Sequence, residues 1–406
     1  MEAVNNRMMC RVLLFVLCLS LVLASIYGRV LQYAQPNAVG ISSERLGFLD
    51  EVIREAVSTG EIPGAVALVA RKGKIVYRKA FGFRAEEPSL EPMTLDSIFD
   101  VASMTKVMVS APLIMLLVEE GRLSLLDEVA LHIPEFGKRG KREITILQLL
   151  THYSGLRPDL DLKPYWEGYD KAIRLACMER PLEPPGTRFI YSDINYFILG
   201  DLIQRVSGLP LDELAQKRIF RPLEMTDTGF KPGRDLLGRI VPSGQRDGKN
   251  VRGEVHDPTS HRMGGVAGHA GLFSTVDDTA VWAQMILNGG AYNGTRVLSP
   301  LSVNRMTTPQ FPREGVDWRG IGFDIQTRFS TARGDLFPVG SFGHTGFTGT
   351  SMWIDPYSET VVLLFTNRLH PNRNGNTVSL RQRVASVVAA SLVDFSPGRE
   401  YIRPSY

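Results

Sequence analysis

A serine and a lysine three residues apart, Ser103 and Lys106, could act together chemically. Residues at this spacing share one face of a helix, so a helix here would place the amine beside the hydroxyl. Serine becomes a nucleophile when a neighbouring base takes its proton, and lysine can be that base only when it is neutral. For Lys106 to be that base, burial or nearby positive charge would have to lower its pKa below the ordinary value of about 10.4. Ser-x-x-Lys also arises by chance in a chain of this length, so further groups are needed.

A second group is Tyr191-Ser192-Asp193, which comes directly before a predicted helix over Ile194–Val206. A phenol in this place can relay a proton between a nucleophile and a leaving group. With Lys106 nearby the two side chains would titrate as a coupled pair, so the sequence leaves open which of them is the base. Asp193 is either a substrate-binding residue or the N-cap of the helix that follows.

A third group, His344-Thr345-Gly346, ends a predicted strand and is followed by Phe347. Glycine at a strand end lets a substrate approach the backbone closely. The N–H of Phe347 could then share an oxyanion hole with the N–H of Ser103, which opens a helix at the positive end of its dipole. A histidine that only pairs with a polar neighbour in the strand is the alternative interpretation of His344.

The elements that position these groups are strands near both chain ends and helices between them. This arrangement does not alternate as βαβ units would, and it favours an α+β fold in which an antiparallel sheet is completed by the two chain ends. The stretch Lys231–Gly271 is rich in Gly and Pro, and a loop of that length shapes a binding site or is mobile. The predicted strands are Ala65–Ala70, Lys74–Ala80, Ile321–Thr327, Ser341–Thr345, Thr350–Ile354 and Thr360–Thr366, and the main predicted helices are a helix from Ser42 or Ser43 through Ala56, then Val107–Leu117, Ile146–Leu150, Ile194–Val206, Asp277–Leu287 and Leu380–Leu392.

The order of the three groups resembles that of the penicillin-recognising serine hydrolases, and in particular the class C β-lactamase-like family with its D,D-peptidases and family VIII esterases. The resemblance covers roughly residues 42–395, and it includes the segments 149–156, 185–187 and 264–271. It implies a five-stranded antiparallel sheet flanked by helices, an inserted helical lobe, and no metal or organic cofactor. It also implies that Ser103 is the nucleophile, that Lys106 and Tyr191 share the acid and base work, and that His344 and Thr345 contact the substrate. Three further residues, Asp193, Gly346 and Phe347, are predicted to bind substrate as well, which brings the predicted site to eight residues.

Two departures from the family pattern bear on the substrate. Class C β-lactamases usually have Asn where this chain has Asp193, and Lys where it has His344. A lysine offers a permanent cation to a substrate carboxylate, whereas a histidine with a reference pKa of about 6.5 is mostly neutral at pH 7. Both changes favour hydrolysis of an ester or amide, with D,D-carboxypeptidase and β-lactamase activity as alternatives.

The bulk properties fit an exported globular protein. The 406 residues are 44% hydrophobic and 22% charged with a net charge of +3, so there is no basic stripe that would suit nucleic acid. Arg7 and Arg11 precede a run without charge from Val12 to Ile26, which is typical of a signal peptide or a signal anchor. Cys177 is the one cysteine beyond that leader, so no disulfide is expected. The predicted organisation is a leader at 1–28, a linker at 29–41, a hydrolase domain at 42–395 (sheet lobe 42–102 and 300–395, helical lobe 103–299) and a tail at 396–406.

Two alternative interpretations are a metalloenzyme and a non-catalytic binding module. A metal site could be assembled from His256, Asp257, His261 and His269, but no His-Glu-x-x-His helix accompanies them. A non-catalytic cell-envelope binding module would keep the fold and lose the nucleophile or its base, and here both remain. We therefore expect a serine hydrolase that acts on a small molecule or a short peptide, with its oligomeric state undetermined.

Overall fold

The computed structural model describes residues 30–311, 317–371 and 375–395, so the predicted leader and tail lie outside it. Among the described residues the main sheet has nine strands, in the order β1-β3-β2-β9-β8-β7-β6-β5, with β4 paired to β3. The strands are β1 (Gln32–Tyr33), β2 (Gly64–Arg71), β3 (Lys74–Ala85), β4 (Glu91–Pro92), β5 (Trp318–Arg319), β6 (Asp324–Gln326), β7 (Phe342–Thr345), β8 (Ser351–Asp355) and β9 (Thr360–Thr366).

The centre of this sheet is buried on both faces. Every residue of β2 and of β9 is buried, and the two strands pair antiparallel. Val66 and Leu68 of β2 point into one apolar cluster, while Ala67 and Val69 point into a second cluster on the opposite face. A strand covered on both faces reads as a continuous apolar run, which is why the sequence predicts these strands well.

The predicted α+β class is confirmed, and the strands β3, β2, β9, β8 and β7 form the expected five-stranded antiparallel core. The sheet is larger than predicted because β1, β4, β5 and β6 extend its edges, and β1 pairs parallel to β3. Each of these edge strands has only two or three residues, which is too short to show an alternating pattern in sequence.

The segment 29–41, predicted to be a linker, is packed against the domain in its described part, from residue 30 onward. Leu31 is buried, and Gln32 and Tyr33 form β1. Ile41 bridges Leu392 near the other end of the chain, and Arg71 donates to the carbonyl oxygen of Gly40 at 2.6 Å. These contacts are long-range, so local composition could not reveal them.

Helices cover both faces of the sheet. On one face the helices Phe48–Ser58 (α1) and Val378–Ala390 (α7) pack against each other through Leu49, Ile53 and Val384. Ser42 caps the short helix before α1 by accepting from the N–H of Arg45. The other long helices are α2 (Ala111–Glu119), α3 (Tyr169–Met178), α4 (Asp193–Ser207), α5 (Val276–Leu287) and α6 (Pro300–Thr307), and the shorter α-helical turns are Ser43–Leu46, Val129–His132, Ile146–Leu150, Leu211–Ala215 and Pro258–Arg262.

The helix that begins at the predicted nucleophile is irregular at its start. A 3-10 turn at Ala102–Met104 leads into a π-helical turn at Lys106–Ser110 and then into α2. By length and composition Ala102–Glu119 could cross a membrane, but most of it is buried inside the protein. The predicted buried helix over Val107–Leu117 is therefore a core helix that carries Ser103 at its N-terminal end.

The stretch Lys231–Gly271, predicted to be one long loop, is folded. It contains a small hairpin, Gln245–Arg246 with Lys249–Asn250, and the helix Pro258–Arg262. The N–H of His256 donates to the buried carboxylate of Asp100. Asp100 lies two residues before Ala102, where the helical segment that carries Ser103 begins. The stretch is thereby fixed beside the predicted active site.

Candidate active site

Ser103 lies directly after a constrained turn. Ala102 has a φ of 46°, a left-handed conformation that side-chain-bearing residues adopt rarely. The carboxylate of Asp100 holds this turn by accepting from the N–H of Ala102 at 2.8 Å. Burial raises the pKa of Asp100 to about 6, although the N–H groups of His256 and Ala102 oppose the shift. The turn presents Ser103 at the start of the helix, as the spacing predicts.

Lys106 is fully buried beneath Ser103, and its amine faces three hydrogen-bond acceptors. Its Nζ lies 3.0 Å from Ser103 Oγ, 3.1 Å from the carbonyl oxygen of His269 and 2.6 Å from Asp193 Oδ1. Burial acts to lower the pKa of this ammonium, but Asp193 and Tyr191 outweigh it and raise the pKa above its ordinary value. The lower pKa that Lys106 would need as a neutral base is therefore not found, and the cause is a carboxylate whose approach to the amine the sequence does not show.

Asp193 is the first residue of α4, and its carboxylate pairs with Lys106 instead of capping the helix. The N-cap position belongs to Ser192, whose hydroxyl donates to the carbonyl oxygen of Arg157. The side chain of Asp193 is 22% exposed. The Asp193 carboxylate neutralises the charge of the buried Lys106 ammonium, so the pair adds little net charge to the cleft.

Tyr191 lies between two rings and above the amine. Nζ of Lys106 is 5.1 Å from the centroid of the Tyr191 ring. His152 stacks on the same ring at 4.4 Å with an interplanar angle of 30°, and His344 lies 6.1 Å away. The phenol is therefore held next to the Ser103–Lys106 pair from several sides.

His344 is a buried, neutral imidazole at the end of β7. Its Nδ1 lies 2.9 Å from the carbonyl oxygen of Thr345. Burial, together with the charges of Arg319 and Lys106, lowers the pKa of His344 well below its ordinary value. The expectation that His344 is uncharged at neutral pH is confirmed, and the cause is burial in addition to the reference pKa.

Gly346 is crowded by the protein itself. A Cβ at this position would lie 2.2 Å from Thr350 Oγ1 and 2.5 Å from the carbonyl oxygen of Val101. Phe347, which follows, is 59% exposed, and its ring lies against His256 at 5.8 Å and under the guanidinium of Arg368 at 4.5 Å. Glycine is thus required here for packing between β7 and the serine turn, while Phe347 forms the rim.

These groups surround a cleft of about 260 Å³ that contains three arginines. Arg319 pairs with Asp324 at 3.3 Å, and both side chains are buried. Arg381 of α7 is also buried and donates to the carbonyl oxygens of Gly346 and Thr350. Burial, reinforced by the neighbouring charge of Arg368, lowers the pKa of Arg381 to about 9. The cleft lining consists of Ser103, Tyr191, Arg319, Asp324, Phe329, His344, Thr345, Gly346, Phe347, Arg368, Asn376, Thr377, Val378 and Arg381.

The structure brings the predicted residues together with two differences in placement. Six of the eight line the cleft, whereas Lys106 lies below it and Asp193 lies behind Lys106. The three arginines of the lining, Arg319, Arg368 and Arg381, were not predicted from the sequence. Arg381 had a detectable signal, since helical spacing places it on the same face as the apolar Val384 and Val388.

The four residues considered as metal ligands do not converge. His269 Nε2 lies 2.8 Å from Asp257 Oδ1, while His256 stacks on Phe347 and His261 lies beside Arg246. Within the described ranges, no group of three or more His, Cys, Asp or Glu side chains is arranged to hold a metal ion. The Asp257–His269 pair instead fixes the backbone whose carbonyl oxygen accepts from Lys106.

The comparison with known proteins defines the class. Residues 49–386 match the family model described as Beta-lactamase, and this range includes strands β2 to β9, the helices between them and all eight predicted residues. The chain therefore belongs to the Beta-lactamase family, and it is a serine hydrolase of that family.

Individual relatives and solved structures show which members of the family the chain is similar to. A protein of Escherichia coli (strain K12) whose name assigns it as a candidate D-alanyl-D-alanine carboxypeptidase is 33% identical over 390 residues, which cover 86% of this chain and 89% of the relative. Two solved structures share the fold: a penicillin-binding protein homologue from Caulobacter crescentus (TM-score 0.70, 24% identity, 87% and 99% of the two chains) and EstCE1, a hydrolase with promiscuous acyltransferase activity (TM-score 0.67, 22% identity, 85% and 99%).

Proposed function

We propose that the protein cleaves an ester or amide bond through an acyl-enzyme on Ser103, with Lys106 and Tyr191 managing the protons. The observation that carries the proposal is the 3.0 Å separation of Ser103 Oγ and Lys106 Nζ at the floor of the arginine-lined cleft. Ser103 Oγ bonds to the substrate carbonyl carbon, the amine or alcohol leaves, and water then hydrolyses the acyl group and restores the serine.

The proton acceptor in this scheme is Tyr191. The Lys106 ammonium offers its protons to Ser103, Asp193 and the His269 carbonyl, so it has no lone pair for the serine proton. Tyr191 faces the same ammonium, whose Nζ lies 5.1 Å from the centroid of its ring. In this step Tyr191 enters as the phenolate, takes the proton from Ser103 to become a phenol, and gives that proton to the leaving group, which restores the phenolate.

The backbone N–H of Phe347 supplies one half of the oxyanion hole. No described residue accepts a hydrogen bond from it, and it lies in the turn after β7 that also lines the cleft. The second donor is the N–H of Ser103 at the start of the helix. Thr345, Gly346 and His344 then form the edge along which the substrate backbone lies.

The arginines favour a substrate whose leaving part carries a carboxylate. Arg381 forms no ion pair with any described carboxylate, and its Nε has no partner within the described part of the chain. A buried guanidinium with free donors is suited to a carboxylate, which it can bind in a bidentate way. Together with the name of the E. coli relative, this supports a D,D-carboxypeptidase that releases a C-terminal D-amino acid.

An esterase is the second candidate, and the rim of the cleft favours it. Phe347 is exposed, and Phe329 and Val378 also line the cleft, so an acyl chain without charge finds apolar contacts. Neither Asp193 nor His344 adds a positive charge that would select anionic substrates.

The test compares the wild-type protein with Ser103→Ala on four substrates: a tripeptide ending in D-alanyl-D-alanine, its C-terminal amide, p-nitrophenyl butyrate and a chromogenic cephalosporin. We expect turnover that Ser103→Ala abolishes, and a mass increase on Ser103 after treatment with a fluorophosphonate. Preference for the free peptide over its amide supports the carboxypeptidase, and preference for the ester supports the esterase. Equal rates in wild type and variant, without labelling, would contradict catalysis by Ser103.

We also propose that the protein acts outside the cytoplasm. The charge-free run Val12–Ile26 after Arg7 and Arg11 supports export. Cell fractionation with N-terminal sequencing of the mature protein tests this, and full-length protein in the cytosolic fraction would contradict it.

A further inference from the structure

His152 is a buried histidine that the proposed reaction does not use. Its side chain is fully buried, and its backbone has a φ of 63°, which is rare for a residue with a side chain. It does not line the cleft. Strained backbone conformations cluster at active sites, where they help to position other groups, so we ask which group His152 positions.

The contacts of His152 converge on the segment around Tyr191. Its carbonyl oxygen accepts from the N–H of Ile190 at 3.0 Å, and its Nδ1 accepts from the N–H of Ser192 at 3.1 Å. The imidazole ring stacks on the ring of Tyr191 between these two anchors. One residue thus holds the backbone on both sides of Tyr191 and the face of its side chain.

The ring of His152 is fixed in one chemical state. Because Nδ1 accepts from Ser192, the proton of the neutral imidazole is on Nε2. Burial, followed by the charges of Arg319 and Lys106, lowers the pKa of His152 well below its ordinary value. The ring therefore packs against Tyr191 without adding a second positive charge beside the Lys106 ammonium.

We infer that His152 is a positioning residue for Tyr191, which it holds over Lys106 by the stacked ring and the two backbone hydrogen bonds. This inference rests on the proposed role of Tyr191. A displaced catalytic group loses rate steeply, and a shift of about 1 Å can cost on the order of 10²-fold. Since His152 lies outside the cleft, its loss lowers kcat and leaves KM within about twofold.

Two variants separate the two parts of the role. His152→Asn keeps an acceptor near the Ser192 N–H and removes the stacked ring, whereas His152→Phe keeps a ring and removes the acceptor. We expect each to lower kcat at least about tenfold at unchanged KM. Thr151→Val is the matched control. Thr151 is adjacent to His152 in sequence, and the substitution removes its buried hydrogen bond to the carbonyl oxygen of Leu147, which does not involve the Tyr191 segment. It should keep the wild-type kcat.

The deciding measurement is a double-mutant cycle with Tyr191→Phe, supported by melting temperatures for every variant. If His152 acts through Tyr191, adding His152→Asn to Tyr191→Phe lowers kcat by less than about twofold. The same fold-loss in both backgrounds, or a wild-type kcat in both His152 variants, would overturn the inference while leaving the proposed function intact. A wild-type kcat in Tyr191→Phe would instead refute the role of Tyr191 and, with it, the role of His152.

Discussion

Asp193→Asn removes the charge opposite Lys106 and keeps the shape of the side chain. At 2.6 Å and an effective dielectric constant of about 20, two unit charges attract by about 6 kcal/mol, and desolvation of the buried amine offsets part of this. Breaking a buried pair costs about 3–5 kcal/mol. Because the side chain of Asp193 is 22% exposed, we expect the lower end, a loss of about 3 kcal/mol in the free energy of unfolding near neutral pH.

The loss should depend on pH with a defined sign. In the wild type the folded-state pKa of Lys106 is raised, so its stabilisation is complete below the unfolded pKa of about 10.4 and is lost only as the pH rises through the higher folded value. In Asp193→Asn, burial without the carboxylate lowers the pKa of Lys106. The variant then gains stability with pH between that lowered pKa and about 10.4. The difference between the two proteins therefore narrows as the pH rises.

Urea unfolding followed by tryptophan fluorescence at about pH 6.5, pH 8 and pH 9.5 measures this difference directly. Asp161→Asn is the control, because its carboxylate is 75% exposed in a surface pair with Arg157 and should change stability by less than about 1 kcal/mol at each pH. A loss in Asp193→Asn no larger than that of the control would refute the pairing argument. So would a difference that widens with pH.

Three further predictions concern the cleft. Arg381→Met should lower kcat/KM for a peptide with a free C-terminal carboxylate by about 10- to 100-fold, while kcat/KM for the C-terminal amide should stay within about threefold of the wild-type value. Equal losses of kcat/KM on the two peptides would contradict carboxylate binding by Arg381. Gly346→Ala should lower the free energy of unfolding by more than about 2 kcal/mol in thermal or urea unfolding, because the added Cβ would lie 2.5 Å from the carbonyl oxygen of Val101. An unchanged melting temperature would show that the turn can move to accommodate the Cβ. His344→Gln should give the same pH profile of kcat/KM as the wild type between about pH 5.5 and pH 8, since burial lowers the pKa of His344 well below its ordinary value. An ionisation near pH 6.5 that only the wild type shows would contradict this.

The parts of the fold that follow local patterns could be predicted from the sequence. The apolar run of β9 was located to the residue, and α4 differs from its prediction by one residue at each end. The two-residue strand β1 could not be predicted, because its pairing with Lys74 depends on a partner far along the chain. The same holds for the folded stretch Lys231–Gly271, whose anchor is Asp100.

The predicted active-site residues lie together, while the pKa of Lys106 is shifted opposite to the direction that a neutral base would need. Ser103 and Lys106 are three residues apart, so a helix is enough to bring them into contact. Asp193 approaches Lys106 only through tertiary structure, and its carboxylate reverses the pKa shift that burial alone would give. Arg319 was missed because an isolated arginine in a short edge strand carries no periodic signal.

The pairing of β2 with β9 has a consequence for how the chain acquires its fold. Gly64, at the start of β2, donates to Asn367, which lies 303 residues further along the chain. A contact of this sequence separation raises the contact order and delays closure of the sheet until almost the whole polypeptide is present. The two apolar faces of β2 stay uncovered until then, so the sheet is completed only after the C-terminal strands have been synthesised.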